Sequence, residues 1–210
     1  MLEYYDERAT VADYMCRLYE RGLTTSLGGN ISLRIGDLIM ITPAKLDKGR
    51  LTASNIGIIS NTGDNLTPHI ALSIETEMHL RILQGRKDIS AVIHAHPTMA
   101  TFFTVSDIDI NTTLTAETFA VLGVPVKATY ALMGTRQLAC SVSEAAMKSN
   151  VVLMENHGVL TVGKSLLEAF NRMEVLESAA KMNLIIMNSK DSYRIKTLSH
   201  RDLEEIKQIL

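Results

Sequence analysis

Three histidines carry the clearest chemical signal in this chain. His94 and His96 lie two residues apart in the apolar run Ala91-Val92-Ile93-His94-Ala95-His96-Pro97. A run of this kind, stopped by proline, reads as a short buried strand. Side chains alternate across a strand, so the two imidazoles face the same way. His157 follows a second apolar run, Val151-Val152-Leu153-Met154, and so also sits just past a strand end. Three neutral imidazoles around one ion, with a position left open, is the plan of a catalytic zinc site. A lone buried histidine is more often a hydrogen-bonded core residue. The second strand end carrying His157-Gly158 shifts the balance toward a metal.

The elements that hold these residues follow from periodicity. Residues 6–21 have helical spacing, with Ala9, Ala12, Met15, Cys16 and Tyr19 on one face and Gly22 as the stop. Gly28-Gly29-Asn30 is a turn or a phosphate-loop candidate. Strands are expected at Ile31–Arg34 and Leu38–Ile41, joined by a Gly36-Asp37 turn, and at Ile56–Ser60. A helix is expected from Ser73 to Gly85, then the strand ending at His96, then a short helix over 97–104. The stretch 108–122 is ambiguous, and an extended segment runs from Val124 to Tyr130. Further helices are expected over 134–148, from the capping box Ser165-Leu166-Leu167-Glu168 to Met187, and from Ser199. Val151–Met154 and Val159–Val162 read as paired strands around His157-Gly158. The expected fold is a single α/β domain over residues 1–210, a largely antiparallel sheet covered by helices.

Composition narrows the function. The chain has 210 residues, 46% of them apolar, enough for one sizeable core. No apolar stretch reaches the roughly 18 residues of a membrane span, and the polar, acid-bearing Met1–Ala9 does not read as a signal peptide. Net charge is −2 with both signs mixed, which argues against a nucleic-acid surface. Cys16 and Cys140 have no motif spacing and read as small core residues in a reducing compartment. The expectation is a cytoplasmic protein with a small-molecule substrate and no nucleic-acid or membrane partner.

Read together, Gly29-Asn30-Ile31-Ser32-Leu33-Arg34, Ile41-Thr42-Pro43, Glu75-x-x-x-His79, His94-Ala95-His96-Pro97, Gly134-Thr135 and Asn156-His157-Gly158 resemble the class II aldolase/adducin family. Val162-Gly163-Lys164-Ser165-Leu166 and Glu168-Ala169 continue the match, which spans residues 6 to 187. The resemblance implies an α/β/α sandwich and a homotetramer with active sites between neighbouring subunits. It also implies one zinc ion per subunit, bound by His94, His96 and His157, with Glu75 as a fourth ligand that then acts as the base. The family includes zinc-dependent fuculose-phosphate aldolases, 4-epimerases, methylthioribulose-phosphate dehydratases, sugar-acid phosphate decarboxylases and metal-free adducin-type heads. The epimerases carry aspartate where Glu75 stands, so glutamate favours carbon–carbon cleavage. The implied reaction is reversible cleavage of a short ketose phosphate, of the L-fuculose 1-phosphate type, to dihydroxyacetone phosphate and an aldehyde through a metal-stabilised ene-diolate.

By the same resemblance Gly29, Asn30 and Ser73 hold the substrate phosphate, and His79 supports the site. Three positions depart from the fuculose-phosphate aldolase pattern: Leu27, Ala44-Lys45 and Ile74 stand where small or hydroxyl residues are usual. Lys45 could restore a charge contact there. The usual tyrosine acid is not evident in Thr115-Ala116-Glu117-Thr118-Phe119, which leaves Glu117 and Tyr130 as acid/base candidates. Glu77, two residues after Glu75, is rotated away and reads as a solvated charge. His69 and His200 read as surface residues.

Overall fold

The computed structural model describes residues 2–189 and 194–209. Its strands are β1 (Asn30–Ile35), β2 (Leu38–Ile41), β3 (Gly57–Ser60), β4 (Ala91–Ala95), β5 (Val126–Ala128), β6 (Val151–Met154) and β7 (Gly158–Gly163). They form one sheet in the order β3-β2-β1-β4-β7-β6-β5. Every pairing is antiparallel except β5 with β6. The helices are α1 (Tyr5–Glu20), α2 (Thr76–Gly85), α3 (Thr98–Phe102), α4 (Ala116–Leu122), α5 (Arg136–Ala146), α6 (Leu166–Asn188) and α7 (His200–Ile209).

The strands are buried on both faces, and their alternation divides them between two cores. Met40, Ile93 and Val159 pack with α1, α3 and α6. Ile39, Ile41, Val92 and Leu160 pack with α2 and α5 on the opposite face. This is the expected sandwich of helices around a largely antiparallel sheet. No helix among the described residues is long and apolar enough to cross a membrane.

Several local expectations shift. Helix α1 buries Arg8, Val11, Ala12, Met15 and Leu18, while Tyr19 is exposed and Cys16 half-buried. Val11 and Leu18 offer more apolar area than Ala9, and burying each is worth about 1.5–3 kcal/mol, so they set the helix rotation. Both thiols are free and half-buried, with Cys16 packed against the edge of the core. The ambiguous stretch resolves into a 3₁₀ turn, Thr112–Leu114, followed by α4. Ser165 caps α6 by accepting the Glu168 N–H, and the Glu168 carboxylate accepts the Lys164 N–H rather than that of Ser165.

Candidate active site

The central strand β4 lies between β1 and β7, and His94 faces Asn30 on one side and Leu160 on the other. His96 follows the end of β4, and His157 sits in the tight connection between β6 and β7. The three rings converge, with centroid separations of 4.7, 4.8 and 5.5 Å. One nitrogen from each lies within 4.8 Å of the others. Nδ1 of His94 donates to the Val159 carbonyl at 2.9 Å. That bond fixes the ring's proton on Nδ1 and leaves Nε2 as a bare lone pair. Burial pushes the His94 and His96 imidazoles down to about 3, reinforced by the neighbouring histidines. Both are therefore neutral, the form that binds metal.

Glu75 completes the cluster from the mouth of α2. Helix α2 starts at Thr76, three residues later than the sequence suggests, with Glu75 in the half-helical cap position. Ser73 makes the preceding turn, its carbonyl accepting the Thr76 N–H and its hydroxyl the Glu75 N–H. The turn holds the Glu75 side chain at the helix entrance, 6% exposed. Its Oε2 lies 3.4 Å from His94 Nε2 and its Oε1 3.5 Å from His157 Nε2.

A buried relay fixes this carboxylate. The Asn30 amide donates to Glu75 Oε2 at 2.8 Å, which turns the Asn30 carbonyl toward His79 Nε2 at 2.5 Å. His79 Nε2 must then carry the proton, and Nδ1 accepts from the Ser32 hydroxyl at 2.7 Å. Burial holds the His79 imidazole down at about 3, so it works as a neutral, oriented bridge. Ser32 is the member of this relay that the sequence analysis missed. Its inward register beside Asn30 on β1 is the signal that could have found it.

Glycine is required at two positions of this floor. A Cβ on Gly158 would stand 2.5 Å from His96 Cδ2 and 2.7 Å from the Ala95 carbonyl. Gly29 has a φ of +69°, and a Cβ there would meet the His94 carbonyl at 2.8 Å.

These residues fit a divalent cation. Glu75 Oε1 and His94 Nε2 are buried and have no hydrogen-bond partner. Leaving such groups unsatisfied costs about 1–3 kcal/mol each. A carboxylate and three imidazoles brought to one point are satisfied by a shared cation, and the nitrogen and oxygen donor set suits zinc and its neighbours.

The cluster opens into a cleft of about 270 Å³. Gly29, Asn30, Lys45, Ser73, Glu75, His96 and His157 all line it. Of the phosphate candidates, Asn30 lines the cleft with one of its two amide hydrogens engaged by Glu75. Lys45 is exposed at the rim, and the apolar Leu27 and Ile74 are exposed beside it. Glu117 and Tyr130 do not line this cleft. Glu117 is exposed in the first turn of α4, whose cap is Thr115, and Tyr130 is exposed past β5. Glu77 is exposed and pairs with Arg81, and His69 and His200 are exposed. Lys48, which the sequence reading passed over, is a buried member of the cleft wall.

Comparison with known proteins gives consistent relatives. Residues 9–184 match the family described as Class II Aldolase and Adducin N-terminal domain. An L-fuculose phosphate aldolase of Methanococcus maripaludis is 38% identical over 177 residues, covering 84% of this chain and 96% of its own. A 3-oxo-tetronate 4-phosphate decarboxylase of Haemophilus influenzae is 30% identical, covering 89% and 90%. The solved structure of an L-fuculose 1-phosphate aldolase superposes with a TM-score of 0.89 at 31% identity, covering 100% of this chain and 97% of that one.

Proposed function

We propose that this chain, which belongs to the class II aldolase and adducin N-terminal domain family, is a metal-dependent aldolase acting on a short sugar phosphate. The observation that carries the reading is the pair of unpartnered buried acceptors, Glu75 Oε1 and His94 Nε2, facing into a cleft. Zinc is the ion we assign to His94, His96, His157 and Glu75. When bound there it would act as a Lewis acid on a substrate carbonyl.

The protein's own residues then do the following. Glu75 takes a proton from the hydroxymethyl carbon of dihydroxyacetone phosphate and leaves an ene-diolate, whose carbon adds to the aldehyde carbon while the aldehyde oxygen takes up a proton from the open side of the cleft and becomes the new hydroxyl. In cleavage the same carboxyl returns that proton to carbon. Asn30, backed by His79 and Ser32, keeps the carboxylate aimed at the carbon rather than at solvent. The backbone of Gly29 and the hydroxyl of Ser73 receive the phosphate, with Lys45 at the rim. The burial of His94 beneath the cleft keeps bulk water off one side of the carboxylate.

The proposal includes a homotetramer with its clefts at subunit boundaries. The exposed apolar Leu132 and Met133, the latter on the cleft wall, support it. In such an assembly Glu117 and Tyr130 of a neighbouring copy are the acid/base groups to test.

Decarboxylation on the same site is the second reading. Leu27 and Ile74, standing where the resemblance leads one to expect small or hydroxyl residues, favour it, as does the Haemophilus relative. The deciding experiment incubates metal-loaded protein with dihydroxyacetone phosphate plus L-lactaldehyde, and separately with 3-oxo-tetronate 4-phosphate. Aldehyde-dependent consumption of dihydroxyacetone phosphate supports the aldolase. Release of carbon dioxide without it replaces the aldolase with the decarboxylase.

A further inference from the structure

Lys48 is 2% exposed, a state that lysine almost never adopts unless its charge is paired. The loop after β2 puts it there. Lys48 N–H donates to the Ser26 carbonyl at 2.8 Å, which ties this loop to the one leading into Gly28-Gly29. Asp47 then accepts the Gly49 N–H at 3.0 Å and starts the 3₁₀ turn Lys48–Arg50. The Lys48 ammonium donates to the Pro43 carbonyl. An ammonium has three donors, and that is the one hydrogen bond it makes among the described residues. No carboxylate among the described residues lies within ion-pair distance of it. Burial without a counter-charge lowers its pKa to about 8.

A buried, uncompensated cation is costly in a fold that has no use for it. Lys48 lines the cleft together with Gly28, Gly29 and Ser73. The missing counter-charge therefore has a place to enter from solvent.

We propose that Lys48 supplies the positive charge that binds the anionic phosphoryl end of the substrate beside Gly29 and Ser73, in place of the donors absent at Leu27 and Ile74. The assignment rests on reading the cleft as a sugar-phosphate site. Its geometry separates it from Lys45, which is exposed at the rim and free to pair with solvent ions. A purely structural Lys48 would serve only to hold the Pro43 carbonyl, and any neutral donor could replace it.

The variant Lys48→Gln keeps an N–H donor for Pro43 and removes the charge. Inorganic phosphate is titrated into metal-loaded wild type and variant, followed by calorimetry, with wild-type dihydroxyacetone phosphate exchange measured in parallel. In the same wild-type protein, the 15Nζ resonance of Lys48 is followed as phosphate is added, a readout that needs no variant. Phosphate affinity should fall roughly 10- to 100-fold in the variant, the range expected for losing a charged hydrogen bond. The Lys48 resonance should shift along the wild-type binding curve. Wild-type protein that binds no phosphate, or a variant that binds it equally well with an unmoved Lys48 resonance, overturns the assignment. Charge-dependent phosphate binding in a protein that never exchanges dihydroxyacetone phosphate keeps the assignment and overturns the aldolase reading. Full exchange with charge-independent binding does the reverse.

Discussion

His94 Nε2 and Glu75 Oε2 stand 3.4 Å apart with the imidazole nitrogen unpartnered. Both atoms are acceptors, because the ring's proton is held by the Val159 carbonyl through Nδ1. Burial disfavours the charged form of the His94 imidazole, so the two are not held as a simple ion pair. The contact is a gap shaped for a cation.

Stability of the metal-free protein should depend on pH. Burial holds His79, His94 and His96 at about 3, against 6.5 for an unperturbed imidazole. As pH falls through 6.5 the unfolded chain takes up protons that the folded chain refuses. The stabilising effect of keeping these rings neutral is therefore complete above about pH 6.5 and is lost progressively toward pH 3. Each ring adds a slope of up to about 1.4 kcal/mol per pH unit. Urea unfolding of chelator-treated protein between about pH 7 and 5 measures it, and a flat profile would show that the rings are not held neutral.

Asn30→Ala should damage the site without touching the three metal-binding histidines. It strips Glu75 Oε2 of its donor and leaves His79 Nε2 facing a void. We expect a loss of about 1–3 kcal/mol in folding stability, with kcat falling more than KM rises. A variant with wild-type kcat and lowered stability would make the relay structural only.

Gly158→Ala should weaken metal binding. The new methyl would stand 2.5 Å from His96 Cδ2, so the ring must move. Competition with a chromophoric chelator should show affinity reduced by an order of magnitude or more, as for loss of a well-placed supporting contact. Unchanged affinity would mean that His96 is not needed as a ligand.

Much of this was legible in the sequence, and the exceptions have physical causes. The histidines were readable because His-x-His at the end of an apolar run fixes a shared face. The sheet was readable from hydrophobic alternation and from the Gly36-Asp37 turn. The start of α2 was misplaced because Ser73-Ile74-Glu75 has the composition of a cap and first turn. In the fold Ser73 makes a separate turn, and that turn aims Glu75 at the histidines. Lys48 escaped notice because a lysine between aspartate and glycine reads as a solvated loop charge. Only the pairing of its backbone with Ser26 reveals that the loop folds inward. The bond from Asn30 to Glu75 was hidden because sequence shows a donor but not the direction in which it points. Glu117 was picked by its position in a pattern, and in the fold it stands exposed in the first turn behind the Thr115 cap.

The central claim is that Glu75, set against three metal-binding histidines, removes a proton from carbon. The most direct measurement is exchange of the hydroxymethyl protons of dihydroxyacetone phosphate in heavy water, followed by NMR, in wild type and Glu75→Gln at equal metal occupancy. The account predicts stereospecific loss of one proton in wild type and a rate reduced by roughly 10²–10⁴ in the variant. Exchange at the wild-type rate in Glu75→Gln, or none in fully loaded wild type, would contradict it.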